Sequence, residues 1–150
     1  MNETSQSYLP PGLPIPVPET DSLSAPFWMG LRENKVKVQQ CRACGRWQHG
    51  PEWICHECHS FDLDWKEIAP QGRIYSWERV WHPVHQCLEG HGPYIVVLVE
   101  LPGAGNVRML GNLLGDPRQE VVIGTKVEGV FEHHPGSTPP FSLLQWKYMK

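Results

Sequence analysis

The sequence predicts a mainly β protein in which a short helix and a small cysteine-held unit precede a five-stranded barrel, and three observations carry that reading. Gly and Pro together supply 29 of the 150 residues, a turn-rich composition that suits β structure better than a helical bundle. From Arg73 onward, several short runs alternate with period two or are continuously apolar. Four of the five cysteines fall into two Cys-x-x-Cys pairs, CRAC at 41–44 and CHEC at 55–58. A chain of this length buries one good core, or a metal-stapled unit beside a compact domain, but not two large domains.

Residues 1–23 read as a flexible tail. Pro10, Pro11, Pro14, Pro16 and Pro18 lie in the run LPPGLPIPVPET, and their missing N–H groups and fixed φ exclude helix and sheet. Leu9, Leu13, Ile15 and Val17 give that tail apolar groups that a groove on a neighbour would accept.

Residues 24–70 read as a helix followed by a ribbon. Ser24 suits a helix cap, Pro26 the first turn, and Phe27, Trp28 and Leu31 an apolar face, so a short helix is expected to about Asn34. Such a helix is too short to stand alone and must dock. KVKVQQ at 35–40 alternates as a strand leading into the first cysteine pair, and DLDWKEIA at 62–69 reads as another strand after the second.

Residues 71–150 read as the barrel. Gln71 and Gly72 turn the chain, after which Tyr75, Trp77, Arg79 and Trp81 are expected on one face and Ile74, Ser76, Glu78 and Val80 on the other. YIVVLVEL at 94–101, VRMLGNLL at 107–114, 127–131 and 143–148 complete about five strands. Gly72, Gly111, Gly124 and Gly129 fall where curled strands need relief, which fits a small barrel of the OB type.

The cysteine pattern carries the chemistry. Two residues between cysteines let both thiolates reach one ion from a single tight turn, and a second pair completes a tetrahedron of sulfur. Cys41, Cys44, Cys55 and Cys58 are therefore expected to hold one zinc ion in a rubredoxin-like ribbon. Four thiolates leave no open position for water, so the ion is structural and contributes folding free energy. His49, His56 and His59 lie nearby as substitutes for a cysteine, but the cysteine set is already complete. No strand-and-helix context of the thioredoxin kind follows the pairs.

Two weaker features remain. The loop containing His82, His85, Cys87, Glu89 and His91 gathers proton-carrying and metal-binding groups at a spacing that matches no known metal signature. The aromatic stripe of Tyr75, Trp77 and Trp81 would stack bases if the barrel bound single-stranded nucleic acid, or serve as core or channel wall. Charge argues against nucleic acid. The formal net charge is -3, and beyond residue 25 thirteen acids face thirteen bases, without the basic excess that phosphate binding uses. No phosphate-cradling loop, nucleophile elbow or kinase motif is present. The N-terminus lacks a basic region followed by an apolar stretch, and Tyr94–Val99 is too short to span a bilayer, so a cytoplasmic protein away from membranes is expected. In that reducing compartment paired cysteines hold metal more readily than they form disulfides.

In order, the pieces are FWMGLRENKVKVQQ, CRACG, ICHEC, QGRIYSW, the PY that opens YIVVLVEL, and IGTKVEGVFE. This order resembles the zinc-ribbon and OB-fold proteins associated with acyl-CoA metabolism, a family of unknown function, over about residues 24–150. The resemblance implies an accessory subunit of a hetero-oligomer. Its partner would be a thiolase-like enzyme, a lipid-transfer-type aldolase or a hydratase acting on acyl-CoA thioesters, including those of steroid side-chain degradation. It also implies that the family's metal ligands are Cys41, Cys44, Cys55 and Cys58, and that no catalytic residue carries over. The surface expected to meet a partner, or acyl-CoA at a shared site, includes Trp28, Trp77, Arg79, Trp81, His82, His85 and His91. The long proline tail and the histidine-rich loop depart from the family pattern.

Overall fold

The computed structural model describes residues 16–19 and 23–150. Most of the predicted tail lies outside the described residues. The chain forms one short α-helix, two single-turn 3-10 helices and eight strands among the described residues. Helix α1 spans Ala25–Arg32 with Pro26 in its first turn. Ser24 is the N-cap, its carbonyl accepting from the Phe27 and Trp28 N–H groups at 3.0 and 3.3 Å, but its backbone is helical and its side chain makes no capping bond. Asn34, at φ 59°, ends the helix in the left-handed region, where Asn is better tolerated than most residues.

Strands β1 (Val36–Cys41), β2 (Trp47–Gln48) and β3 (Leu63–Ile68) form an antiparallel ribbon in the order β2-β1-β3. The register pairs Val36 with Ile68 and Cys41 with Leu63. Val36 and Val38 are buried by the period-two pattern and join Leu31 of α1 in the same apolar cluster as the barrel interior. The helix therefore docks as its length requires, with one core running from ribbon to barrel.

Strands β4 (Gln71–Val80), β5 (Tyr94–Leu101), β6 (Val107–Asn112), β7 (Lys126–His134) and β8 (Phe141–Tyr148) form a five-stranded antiparallel sheet in the order β6-β5-β4-β7-β8. A parallel bridge between Leu113 and Trp146, with the Leu114 N–H donating to Trp146 O at 2.8 Å, brings the two ends of the sheet together. The result is a nearly closed OB-type barrel. Ile74, Ile95, Val97, Val99, Leu144 and Trp146 fill it. Gly111 makes this closure possible, because a Cβ there would stand 2.6 Å from Leu144 O and 2.8 Å from Trp146 Nε1. Any side chain would push β6 off β8.

One expectation fails in β4. The ladder to β5 slips between Ile74 and Ser76, so Ile74 pairs with Val99 and Trp77 with Val97. A bulge adds one residue and reverses the alternation from that point. Ile74 and Trp77, three apart, both turn toward the core, while Tyr75 is left exposed with the Arg108 guanidinium 3.5 Å from its ring centre. The stripe of Tyr75, Trp77 and Trp81 predicted from strict alternation is thus divided between two faces.

Candidate functional site

Each Cys-x-x-Cys pair closes with the same two backbone bonds. In the first, the Cys41 N–H donates to Arg46 O at 2.8 Å and the Gly45 N–H to Cys41 O at 2.8 Å. In the second, the Cys55 N–H donates to Ser60 O at 2.9 Å and the His59 N–H to Cys55 O at 3.0 Å. The matching positions Gly45 (φ 75°) and His59 (φ 60°) are both left-handed. Gly adopts that conformation freely, whereas His59 carries a modest cost that the knuckle must offset.

The two knuckles face each other. Cys41 Sγ lies 3.6 Å from Cys58 Sγ, Cys44 Sγ lies 3.7 Å from Cys55 Sγ, and all four sulfurs fall within 4.8 Å of one another. Zinc bound by four thiolates at about 2.3 Å requires sulfur–sulfur edges of about 3.8 Å, so the donor set fits a zinc ion. The crowding splits the thiols electrostatically. Backbone N–H groups of Cys58 and Glu57 aimed at its sulfur hold Cys55 down at about 7. Cys44, although the Arg46 N–H donates to it, is pushed up to about 12 by burial and by the three neighbouring sulfurs. A divalent cation removes that conflict by stabilising all four thiolates together. No predicted histidine replaces a cysteine in the cluster. His56 instead contacts Arg46 at 3.4 Å, and the His49 ring lies against Phe27.

Two buried amides outside the cysteine motifs support the second knuckle. Gln39 and Gln48, both buried, bond to each other at 3.1 Å. The Gln39 side chain takes both the N–H and the C=O of Glu52, at 2.9 and 3.1 Å, and Gln48 Oε1 accepts from the His56 N–H at 3.3 Å. Two amides thus suspend the 52–56 segment from the β1–β2 hairpin. Their only signal in the sequence is a polar residue on the buried face of a strand, which periodicity alone reads as exposed.

The remaining predicted site residues separate. Trp28 lines an apolar groove of about 690 Å³ between α1, the loop at Gly50 and the outer face of β5 and β6, with Phe27, Tyr94, Val96, Leu98 and Leu110. Trp77 packs against the core. Arg79 donates Nε to Pro117 O at 2.9 Å and Nη2 to Gln119 O, stapling the 114–125 loop to β4. Trp81, His82 and His85 line a second pocket of about 440 Å³ with Glu89 and Gly92. His91 does not line it. Among the described residues the 82–91 loop brings no three potential ligands together as the cysteines are brought together.

Residues 28–64 match the model for the ChsH2 rubredoxin-like zinc ribbon domain, and residues 65–132 match that for the ChsH2 C-terminal OB-fold domain. The chain is 30% identical to a chain of the solved Ltp2-ChsH2(DUF35) aldolase, covering 88% of itself and 98% of that chain with a TM-score of 0.74. A DUF35 protein of unknown function from Sulfolobus solfataricus shares the fold at 21% identity and a TM-score of 0.59, with 83% of this chain and 84% of that one covered. Among curated relatives, a probable enoyl-CoA hydratase alpha subunit of Thermomonospora curvata is 33% identical over 83% of this chain and 38% of its own length. The 3-oxo-4,17-pregnadiene-20-carboxyl-CoA hydratase alpha subunit of Mycobacterium tuberculosis is 27% identical over 98% of this chain and 48% of its own length. The chain thus spans less than half the length of these curated relatives. With both domains matched and the four sulfurs in place, the chain belongs to the DUF35 family of ChsH2-type zinc-ribbon and OB-fold proteins.

Proposed function

We propose that this chain is the zinc-binding accessory subunit of a hetero-oligomer whose partner, a lipid-transfer-type aldolase of the thiolase superfamily, carries the reactive groups and acts on acyl-CoA thioesters, steroid side chains among them. The observation that carries the reading is the likeness, over 88% of this chain and 98% of the other, to a chain of the Ltp2-ChsH2(DUF35) aldolase. In this reading zinc is structural: it fixes the ribbon, α1 and the barrel as one body, and the groove beside Trp28 faces the partner or the acyl group at a shared site. A hydratase partner is the second reading, favoured by the names of the two curated relatives. Single-strand binding is the weakest, because the bulge at Tyr75 takes Trp77 out of any stacking row.

Co-expression with candidate aldolase and hydratase subunits, followed by purification through this chain, tests the proposal. The expected result is a stable complex with the aldolase-type chain, and retro-aldol cleavage of a CoA thioester that neither chain performs alone. Full turnover by the isolated chain, or capture of the hydratase-type chain only, would overturn it.

A further inference from the structure

The apolar groove beside α1 is open to water, and its walls are aromatic. The Phe27 and Trp28 rings meet edge to face with centres 5.1 Å apart, and the His49 ring lies 5.5 Å from that of Phe27. Tyr94 and Leu110 line the groove from β5 and β6, and Leu110 is 67% exposed. Arg108 is the one formally charged side chain among its lining residues. A continuous apolar surface of this kind marks a place where something docks.

The sequence carries an occupant that starts from the groove's own rim. Residues 9–18, LPPGLPIPVP, hold no polar side chain, and the run leads into Ser24, which lines the groove. Proline presets the polyproline II conformation, with three residues per turn, and apolar segments of that kind dock in aromatic-lined grooves at low entropic cost. At that period Pro10 and Leu13 share one face, Pro11 and Pro14 a second, and Leu9 and Ile15 a third, so whichever face turns inward is apolar. Ile15 lies nine residues before Ser24, and an extended chain covers about 3.3–3.6 Å per residue, which lets the segment reach along a groove of about 690 Å³. Residues 16–19, which take neither helix nor strand and do not line the groove, belong to the tether. So short a tether holds the segment at an effective concentration in the millimolar range. Charge agrees in sign: the first 25 residues hold Glu3, Glu19 and Asp21 without any Lys or Arg, opposite to Arg108.

We infer that residues 9–15 of this chain dock in the groove beside Trp28 and cover its apolar floor in the free subunit. A partner surface or an acyl group then reaches the groove by displacing the segment. The inference goes beyond the proposed function and does not depend on it, because the occupant belongs to the same chain. It also gives a role to the proline run, which departs from the family pattern and which neither the zinc centre nor the barrel uses.

The test is photocrosslinking in the full-length zinc-loaded chain, with Leu13→p-benzoylphenylalanine and, separately, Leu9→p-benzoylphenylalanine, each prepared as an equal mixture of isotopically light and heavy chains and read by mass spectrometry. The expected result is a crosslink from both positions to α1, β5 or β6 within one chain, light to light and heavy to heavy. Binding of anilinonaphthalene sulfonate reads the same equilibrium without a crosslinker. The double variant Leu13→Asp/Ile15→Asp should bind the dye about ten-fold tighter than the parent, the gain expected when a tethered apolar competitor is removed, and adding Leu110→Asp should reverse that gain. Leu110 is exposed, so its replacement reports on the groove and not on the core. The inference is overturned if neither position crosslinks to the groove, or if the dye binds the parent and the double variant alike. Crosslinks that join light chains to heavy ones would give the groove to a second copy, and crosslinks that form only with an added aldolase-type chain would give the segment to the partner; either overturns it.

Discussion

Asn34 and His133, 99 residues apart in sequence, meet at 2.9 Å between Oδ1 and Nε2. His133 Nδ1 in turn lies 2.6 Å from the hydroxyl of Ser142, which is 1% exposed. With its proton on Nε2, His133 donates to Asn34 and accepts from Ser142, so one imidazole ties the end of α1 to the β7–β8 hairpin. The tie sets where the Phe27 and Trp28 wall of the groove stands relative to the barrel.

His133→Ala should therefore destabilise the chain by about 1–3 kcal/mol, because it breaks both bonds and leaves the Ser142 hydroxyl buried without that partner. Asn34→Ala breaks one bond and puts Ala in the left-handed region at φ 59°, a loss of about 1–2 kcal/mol. Urea unfolding followed by circular dichroism measures both, and an unchanged midpoint for His133→Ala would show that the tie contributes nothing.

The bulge at Tyr75 makes two neighbouring aromatics behave oppositely. Trp77→Ala removes a side chain packed on the core and should cost roughly 2–4 kcal/mol. Tyr75→Ala loses only an exposed ring beside Arg108 and should cost less than about 1 kcal/mol. Thermal melts of the two variants distinguish this from the strict alternation expected of an unbulged strand, under which the two losses would be alike.

Asp64 gives the ribbon a defined acid response. Lys66 at 2.9 Å, the Trp65 N–H at 2.9 Å and Arg42 at 3.3 Å hold its carboxyl at about 2, below the ordinary 3.8. A carboxyl depressed in the folded state stabilises it above its unfolded value and loses that contribution as pH falls through the folded value. The stability difference between the parent chain and Asp64→Asn should be constant above about pH 5, shrink from about pH 4, and vanish below about pH 2. Melts across that range check it; a difference that grows on acidification would have the wrong sign.

How much of this was legible beforehand follows from which interactions are local. The cysteine spacing alone specified the metal centre, because a knuckle is a six-residue object whose bonds stay within the motif, from Cys41 to Arg46 and from Cys55 to Ser60. Runs that alternate or are continuously apolar located all five barrel strands, and burial alternates strictly along β5 but not along β8. The bulge was not legible: no Gly or Pro marks Tyr75, and the slip is decided by which register lets both Ile74 and Trp77 reach the core. Nor were Gln39, Gln48 and His133, whose partners sit 6 to 99 residues away and are chosen by tertiary packing. The histidine-rich loop drew notice for composition, yet its residues divide between a pocket wall and open surface.

X-ray absorption at the zinc edge, on purified protein whose metal content is measured in parallel, bears most directly on the centre that organises the ribbon. One zinc ion per chain with four sulfurs at about 2.3 Å and no lighter ligand is the expected result, together with loss of the ion and of ribbon structure in Cys55→Ser. Absence of stoichiometric zinc, nitrogen or oxygen in its shell, or a ribbon unaltered by complete metal removal would contradict it.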